Sequence, residues 1–223
     1  MRLQYSSCRL PLSWTGPPRL ALLCLIPAIL TGFGGRSPLG TVIGPFDADA
    51  VVLAYHKVSG DPLDLEEAAR RSAVAARAGE SGRAAAVHAE VARLQSALAA
   101  TSSAREFSMR VNDSISEYDA RRAEFSIALL TPGHAVRLEA FGQRYRLVFA
   151  NAAGAGRVAI PKAFMQELDA RLNALGRVVV HEIRFRVVGS GDPSGIVSGP
   201  RVIRAKLVSS RLLDRTGRLL ITR

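Results

Sequence analysis

The chain has 223 residues, of which 30 are basic and 19 acidic, and it carries a formal net charge of +11. Its four histidines, His56, His88, His134 and His181, show no metal-ligand spacing, and both cysteines precede residue 36. The composition therefore excludes a zinc cluster, and we predict no cofactor. The remaining length is enough for one ordinary domain with a hydrophobic core.

Residues 1–35 have the organisation of a secretory signal peptide. A basic, polar lead up to residue 19 precedes the apolar block 20–30 and a small-residue exit at 31–35. The block contains Pro27 and is shorter than the about 20 apolar residues that a spanning helix needs. We expect cleavage after this segment. An uncleaved inner-membrane anchor is the first alternative, and a misplaced start codon is the second.

Cysteine and lysine usage indicate the compartment. Cys8 and Cys24 lie in the predicted signal, so the mature chain forms no disulfide. Lipid attachment is disfavoured because Cys24 follows two leucines rather than a small residue. Only three of the basic residues are lysines, which together with abundant alanine indicates a GC-rich bacterial genome. We therefore predict a periplasmic or secreted protein.

Basic residues are concentrated in the C-terminal half. Residues 36–119 hold 9 basic and 12 acidic side chains, whereas residues 120–223 hold 18 basic and 7 acidic ones. A domain of this sign attracts anionic partners such as lipid headgroups, acidic envelope polymers or nucleic acid. Nucleic acid is the least accessible of these to an exported protein.

Residues 36–104 are predicted to be a helical region. Asp47 has the position of an N-cap for a helix over 48–58, and Asp64 with Glu67 forms a capping box for a helix over 65–78. A third helix over 83–100 carries an apolar stripe made by Val87, Val91, Leu94 and Leu98. This stripe indicates packing on neighbouring elements, with a partner-binding coiled coil as the alternative.

Residues 105–223 are predicted to form a basic, β-rich domain, because apolar residues there alternate with polar ones. The predicted inward-facing residues are, strand by strand, Phe107, Met109, Val111; Phe125, Ile127, Leu129; Tyr145, Leu147, Phe149; Ile183, Phe185, Val187; and Ile203, Ala205, Leu207. A helix over 160–175 is inserted, and 189–200 is a surface loop. The predicted fold is α+β: an N-terminal helical layer followed by a largely antiparallel sheet with one inserted helix.

The residues opposite these apolar positions suggest a cationic face, formed by Arg144, Arg146, Arg184, Arg186, Arg204 and Lys206. Arginine binds phosphate and carboxylate groups through two parallel hydrogen bonds, so such a face could hold an anionic ligand, a lipid headgroup or an envelope polymer. The alternative is a solvated face of a half-buried sheet. We predict binding or assembly through this face, with a further protein partner on the 83–100 helix as an option.

The main catalytic alternative is a carboxylate-dependent envelope hydrolase. Glu117 and Asp119 lie in a polar cluster between two predicted strands, and paired carboxylates perform acid–base chemistry or bind cations. The alternative is a structural role, in which these side chains form hydrogen bonds with the backbone of a tight turn. An enzyme requires both carboxylates to converge in a cleft, whereas a binding protein needs a continuous basic surface.

Several segments resemble an uncharacterised family of exported bacterial proteins, classified as a domain of unknown function. The resemblance is carried by FDADAV at 46–51, REFSMRVND at 105–113, EYD at 117–119, FGQRYRLVFAN at 141–151 and EIRFRVVG at 182–189. It covers most of the chain after the predicted signal. It implies an exported globular domain and transfers no functional residue.

Overall fold

The computed structural model describes residues 39–191 and 200–222. The predicted signal peptide and residues 192–199 of the predicted loop lie outside this part of the chain. Helices come first, as the sequence predicts: α1 (Ala48–Ser59), α2 (Leu65–Arg70), α3 (Ala73–Arg77) and α4 (Arg83–Ala100). Two further helices, α5 (Ala152–Ala155) and α6 (Lys162–Ala174), lie among the strands.

Strands dominate the chain from residue 106 onward. The main sheet contains β1 (Val42–Ile43), β2 (Glu106–Ser114), β4 (Val136–Ala140), β5 (Gln143–Phe149), β7 (Val178–Ser190), β8 (Arg201–Leu213) and β9 (Leu219–Thr222). Their order is β1-β2-β7-β8-β5-β4, and β9 also pairs with β8. The strands β3 (Glu124–Ser126) and β6 (Arg157–Ala159) pair with each other in a separate two-stranded sheet. All of these pairings are antiparallel except β5 with β8, so the predicted α+β class is confirmed.

The main sheet curves until it is nearly closed, and Gly40 shows how close its ends come. A Cβ atom on Gly40 would lie 3.2 Å from the carbonyl oxygen of Ala135, which directly precedes β4. The φ of +75° at Gly40 is also one that glycine adopts without strain. The Gly40 N–H donates to the Asn112 carbonyl of β2 at 2.9 Å. The chain before β1 therefore bridges β2 and the start of β4.

Helix α1 is defined by its caps and is the most buried helix. The Asp47 carboxylate accepts a hydrogen bond from the Ala50 N–H at 2.9 Å, and Gly60 ends the helix with a φ of +71°. Residues 50–56 are all buried, because α1 packs on β7, β4 and α4. The helices and the sheet consequently share one core, and the change from helix to strand near residue 105 is not a boundary between cores.

Helix α4 has the predicted bounds, whereas the predicted 65–78 helix is divided in two. Ser72 interrupts it by adopting an extended conformation and accepting a hydrogen bond from the Ala75 N–H at 3.2 Å. Serine competes for backbone groups in this way and favours caps over helix interiors. The apolar stripe of α4 packs onto the shared core beside α2, α3 and α1, with Leu94 fully buried.

The predicted strand through Phe125, Ile127 and Leu129 stops early. After β3 the chain forms a 3₁₀ turn over Ala128–Leu130. The buried carboxylate of Asp113 accepts a hydrogen bond from the Leu129 N–H at 3.0 Å. This backbone group is therefore satisfied by a side chain rather than by the backbone of a neighbouring strand. Leu129 still reaches the core.

Helix α6 forms where predicted but packs less than its apolar pattern suggested. Leu172 is buried and Leu168 lies against the core, whereas Phe164 is 66% exposed. Only the C-terminal half of α6 therefore contributes to the core. No helix among the described residues is both long and apolar enough to cross a membrane.

Candidate functional site

The six basic residues predicted to form a ligand-binding face lie on the outer side of the sheet. Arg146 is half-buried and the other five are exposed: Arg144, Arg184, Arg186, Arg204 and Lys206. They belong to β5, β7 and β8, which are neighbours in the order β7-β8-β5. The sheet therefore brings them onto one surface.

Part of this surface is electrically compensated. Glu106 of β2 stands opposite Arg186 in the register and accepts hydrogen bonds from Arg186 at 2.6 Å and from Arg184 at 2.8 Å. The hydrogen bond from Arg186 is the main reason why the pKa of Glu106 lies below its ordinary value. Arg110 and Glu182 form a second ion pair between the same two strands. The β2–β7 region is consequently a poor place to hold an external anion.

Basic residues without an ion-pair partner in the described chain lie further along the sheet: Arg204 and Lys206 on β8 and Arg144 on β5. Arg146 stands opposite Val202 in the parallel register, which places Arg204 diagonally next to it. A basic strip therefore runs from β8 towards β5.

This strip leads to a cleft of about 930 Å³ on the hairpin of β4 and β5, here called the β4–β5 cleft. Its charged lining is Arg137 and Glu139 from β4 with Arg144 and Arg146 from β5. Arg137 stands opposite Arg146 in the register, and Glu139 stands opposite Arg144. Like charges directly opposite each other on a sheet are destabilising unless something compensates them.

The cleft has more positive than negative charge. Three guanidinium groups surround it against one carboxylate, and within the described chain Arg137 and Arg144 have no ion-pair partner. Guanidinium groups present donors in a fixed fork that fits the oxygens of phosphate or carboxylate. This arrangement is suited to an anionic group.

His134 adds an imidazole ring to the lining of the cleft. The Thr131 hydroxyl donates to the Ala128 carbonyl at 2.6 Å, so its oxygen must accept from His134 Nδ1, which lies 2.9 Å away. The Nδ1 proton is thereby fixed by the protein. Nε2 is the ring nitrogen that is left for a ligand.

A second polar cluster surrounds the hydroxyl of Tyr145, another residue of the cleft lining. His56 Nδ1 donates to the Asp61 carbonyl at 2.7 Å, so in the neutral ring Nε2 is an acceptor facing the Tyr145 hydroxyl at 3.4 Å. The Asp61 carboxylate accepts from the Tyr55 hydroxyl at 3.0 Å and lies 3.6 Å from the Arg201 guanidinium. The cluster closes the end of the sheet where β5 and β8 begin.

Burial keeps the titratable rings of this cluster uncharged. It raises the pKa of Tyr55 to about 12, with Asp61 adding to the effect, and it also raises the pKa of Tyr145. Burial lowers the pKa of His56 from its ordinary value. The cluster is therefore a neutral hydrogen-bond network anchored by the Asp61–Arg201 pair.

Asp113 and His181 form a fully buried pair inside the sheet. His181 Nδ1 and Asp113 Oδ2 are 2.8 Å apart, and Asp113 Oδ1 accepts the N–H groups of Ser114 and Leu129. His181 Nε2 has no hydrogen-bond partner among the described residues. Neither side chain lines the β4–β5 cleft, the cleft between α1 and α4, or the cleft beside Pro62.

The carboxylates predicted for the hydrolase alternative lie in an exposed turn. Asp119 Oδ1 accepts the N–H groups of Arg121 and Arg122 at 2.9 and 3.2 Å, while Glu117 is exposed beside it. Neither residue lines a cleft found in the described chain. The Asp119 contacts are those of a turn that satisfies its own backbone.

Sequence reasoning missed Arg137, Glu139 and the role of His134. The segment 136–140 alternates apolar and charged residues as clearly as the predicted strands do, and this signal predicts β4. Only Phe141 and Gly142 separate this segment from β5, and a two-residue connection between alternating segments indicates a hairpin whose register places Arg137 beside Arg146.

Another cleft, of about 640 Å³, lies between α1 and α4 but has mixed charge. Asp47 and Asp49 line it together with Arg93 and Arg105. Burial, followed by the nearby Asp47, raises the pKa of Asp49. With two carboxylates facing two guanidinium groups, this cleft has no preference for one sign of ligand.

Comparison with protein-family models, with curated proteins and with solved structures gave no match. The resemblance to an uncharacterised exported family therefore stays a prediction.

Proposed function

We propose that this protein binds an anionic ligand in the β4–β5 cleft and acts in the cell envelope by binding or assembly. The observation that supports this function most strongly is the charge of the cleft: Arg137, Arg144 and Arg146 surround a ligand-sized space that contains one carboxylate, Glu139. The ligand presents phosphate or carboxylate oxygens to these groups.

Of the residues in the predicted cationic face, only some are available to bind an external anion. Arg184 and Arg186 already bind Glu106, so an external anion gains little by replacing it. Arg204 lies diagonally next to Arg146 and adds to the attraction of an anion within roughly one Debye length, about 8 Å at physiological salt, whereas Lys206 lies further along β8, opposite Arg186. Binding is therefore centred on β4 and β5.

A matched pair of double variants tests this proposal. Arg137→Gln with Arg144→Gln removes two charges from the cleft, and Arg184→Gln with Arg186→Gln removes two charges from the compensated region. Inorganic pyrophosphate is the probe, titrated by calorimetry at low salt. We expect the cleft variant to bind about tenfold or more weakly, because a hydrogen bond to a charged group contributes about 1.5–3 kcal/mol.

The control variant should stay within about twofold of the natural protein, because its arginines are exposed and already paired. Melting temperatures of both variants establish that the fold is intact. Equal losses in the two variants, or no pyrophosphate binding by the natural protein, would contradict the proposal.

The proposed location in the envelope comes from residues 1–35 and has its own measurement. We expect the mature protein in the envelope fraction to begin near Gly35, which intact mass spectrometry determines directly. A full-length chain recovered from the cytoplasm would contradict the location and leave the binding proposal unaffected.

A further inference from the structure

We infer that the ligand of the β4–β5 cleft is an amphiphilic anion, with a phosphate or carboxylate headgroup on an aliphatic chain. This inference rests on the proposed function and names the class of ligand. It follows from the apolar residues that line the same cleft as the arginines.

Four apolar residues are part of the cleft lining and are here called its apolar wall. Leu39, Leu129, Leu138 and Pro200 line the same cleft as Arg137 and its neighbours. Leu129 and Leu138 are buried and belong to the core, whereas Leu39 is 39% exposed. An exposed leucine on its own is ordinary, but here it lies on the wall of a space with convergent guanidinium groups.

The backbone holds Leu39 in this position. Gly40, the next residue, donates its N–H to the Asn112 carbonyl at 2.9 Å, and the Asn112 N–H donates to the Thr41 carbonyl at 3.0 Å. Gly40 also lies against Ala135, where a Cβ atom would come within 3.2 Å of the carbonyl oxygen. The apolar wall is therefore attached to both β2 and the approach to β4.

The size of the cleft agrees with a ligand larger than an inorganic anion. A volume of about 930 Å³ is at the upper end of the roughly 300–1,000 Å³ that small-molecule sites occupy. Phosphate or carboxylate bound by the arginines fills only one side. An aliphatic chain on the headgroup would cover Leu39 and displace water from the apolar wall.

The test is a calorimetric series with inorganic phosphate and with butyl, hexyl and octyl phosphate, each below its micelle-forming concentration. Burial of one methylene contributes about 0.8 kcal/mol, so we expect affinity to rise about fourfold for each methylene that the cleft covers. Leu39→Ser should flatten this dependence and leave the affinity for inorganic phosphate unchanged. Leu219→Ser, at an exposed leucine on β9, is the matched control and should change neither.

The outcomes separate this inference from the proposed function. If inorganic phosphate binds but the affinity for the alkyl phosphates does not depend on the length of the alkyl chain, the inference of an amphiphilic ligand is wrong and the proposed anion binding is unaffected. Loss of all phosphate binding overturns both. Binding to phosphatidylglycerol vesicles without binding to monomeric octyl phosphate also overturns the inference, because it indicates adsorption to a charged surface rather than a chain held in the cleft.

Discussion

Replacing Asp113 with alanine should destabilise the protein more than any change at an exposed carboxylate. Asp113 is 1% exposed, and its two oxygens accept hydrogen bonds from His181 Nδ1 and from the N–H groups of Ser114 and Leu129. Asp113→Ala removes these acceptors and admits no water in their place. His181 and the Leu129 N–H are then left unsatisfied inside the core.

The size of the effect follows from those two donors. A buried donor without a partner costs about 1–3 kcal/mol, and breaking a buried polar pair by removing one member costs about 3–5 kcal/mol. We expect the free energy of unfolding to fall by about 3–5 kcal/mol. For a chain of this length this lowers the melting temperature by about 6–20 °C.

Asp119→Ala is the matched control, because Asp119 also accepts two backbone N–H groups but is exposed. Water replaces the carboxylate there, so the loss should be below about 1 kcal/mol. Urea denaturation of both variants, followed by circular dichroism, gives the comparison. Combining Asp113→Ala with His181→Phe should cost less than the sum of the single changes, because the orphaned imidazole is removed as well.

Equal losses for Asp113→Ala and Asp119→Ala would refute this reasoning, since burial is the property that distinguishes the two carboxylates. Strict additivity in the double variant would show that Asp113 and His181 do not depend on each other.

Three further predictions concern the fold. Burial lowers the pKa of His56, so the unfolded chain takes up the proton first as the pH falls through the ordinary histidine value of about 6.5. The free energy of unfolding should therefore decrease below that pH. His56→Gln should reduce this decrease, which urea denaturation series between pH 8 and pH 5 would measure. Gly156→Ala, at the residue that follows α5, should cost about 1–3 kcal/mol because its Cβ atom would lie 2.6 Å from a backbone carbonyl oxygen, whereas Gly154→Ala inside α5, with open space around it, should not lower the melting temperature. Leu172→Ala should cost about 2–5 kcal/mol, whereas Phe164→Ser should change the unfolding free energy by less than about 0.5 kcal/mol; equal effects would mean that α6 packs along its whole length.

The sequence by itself determined much, though not all, of the local structure of this protein. The cap at Asp47, the stop at Gly60 and the bounds of α4 follow from interactions within a few residues, which a sequence displays directly. Alternation in the C-terminal half likewise indicates which side chains leave the core, because the side-chain period of a strand is two. These features were enough to predict the α+β class.

Only the tertiary structure decided which of the outward arginines are available to a ligand. Glu106 is 78 and 80 positions away from Arg184 and Arg186, and the register of β2 with β7 alone brings them together. The cleft likewise depends on the closure of the sheet, which brings Gly40 against Ala135. Alternation fixes the face on which a side chain lies but not its neighbours on that face, because strand order and register are set by packing between distant segments.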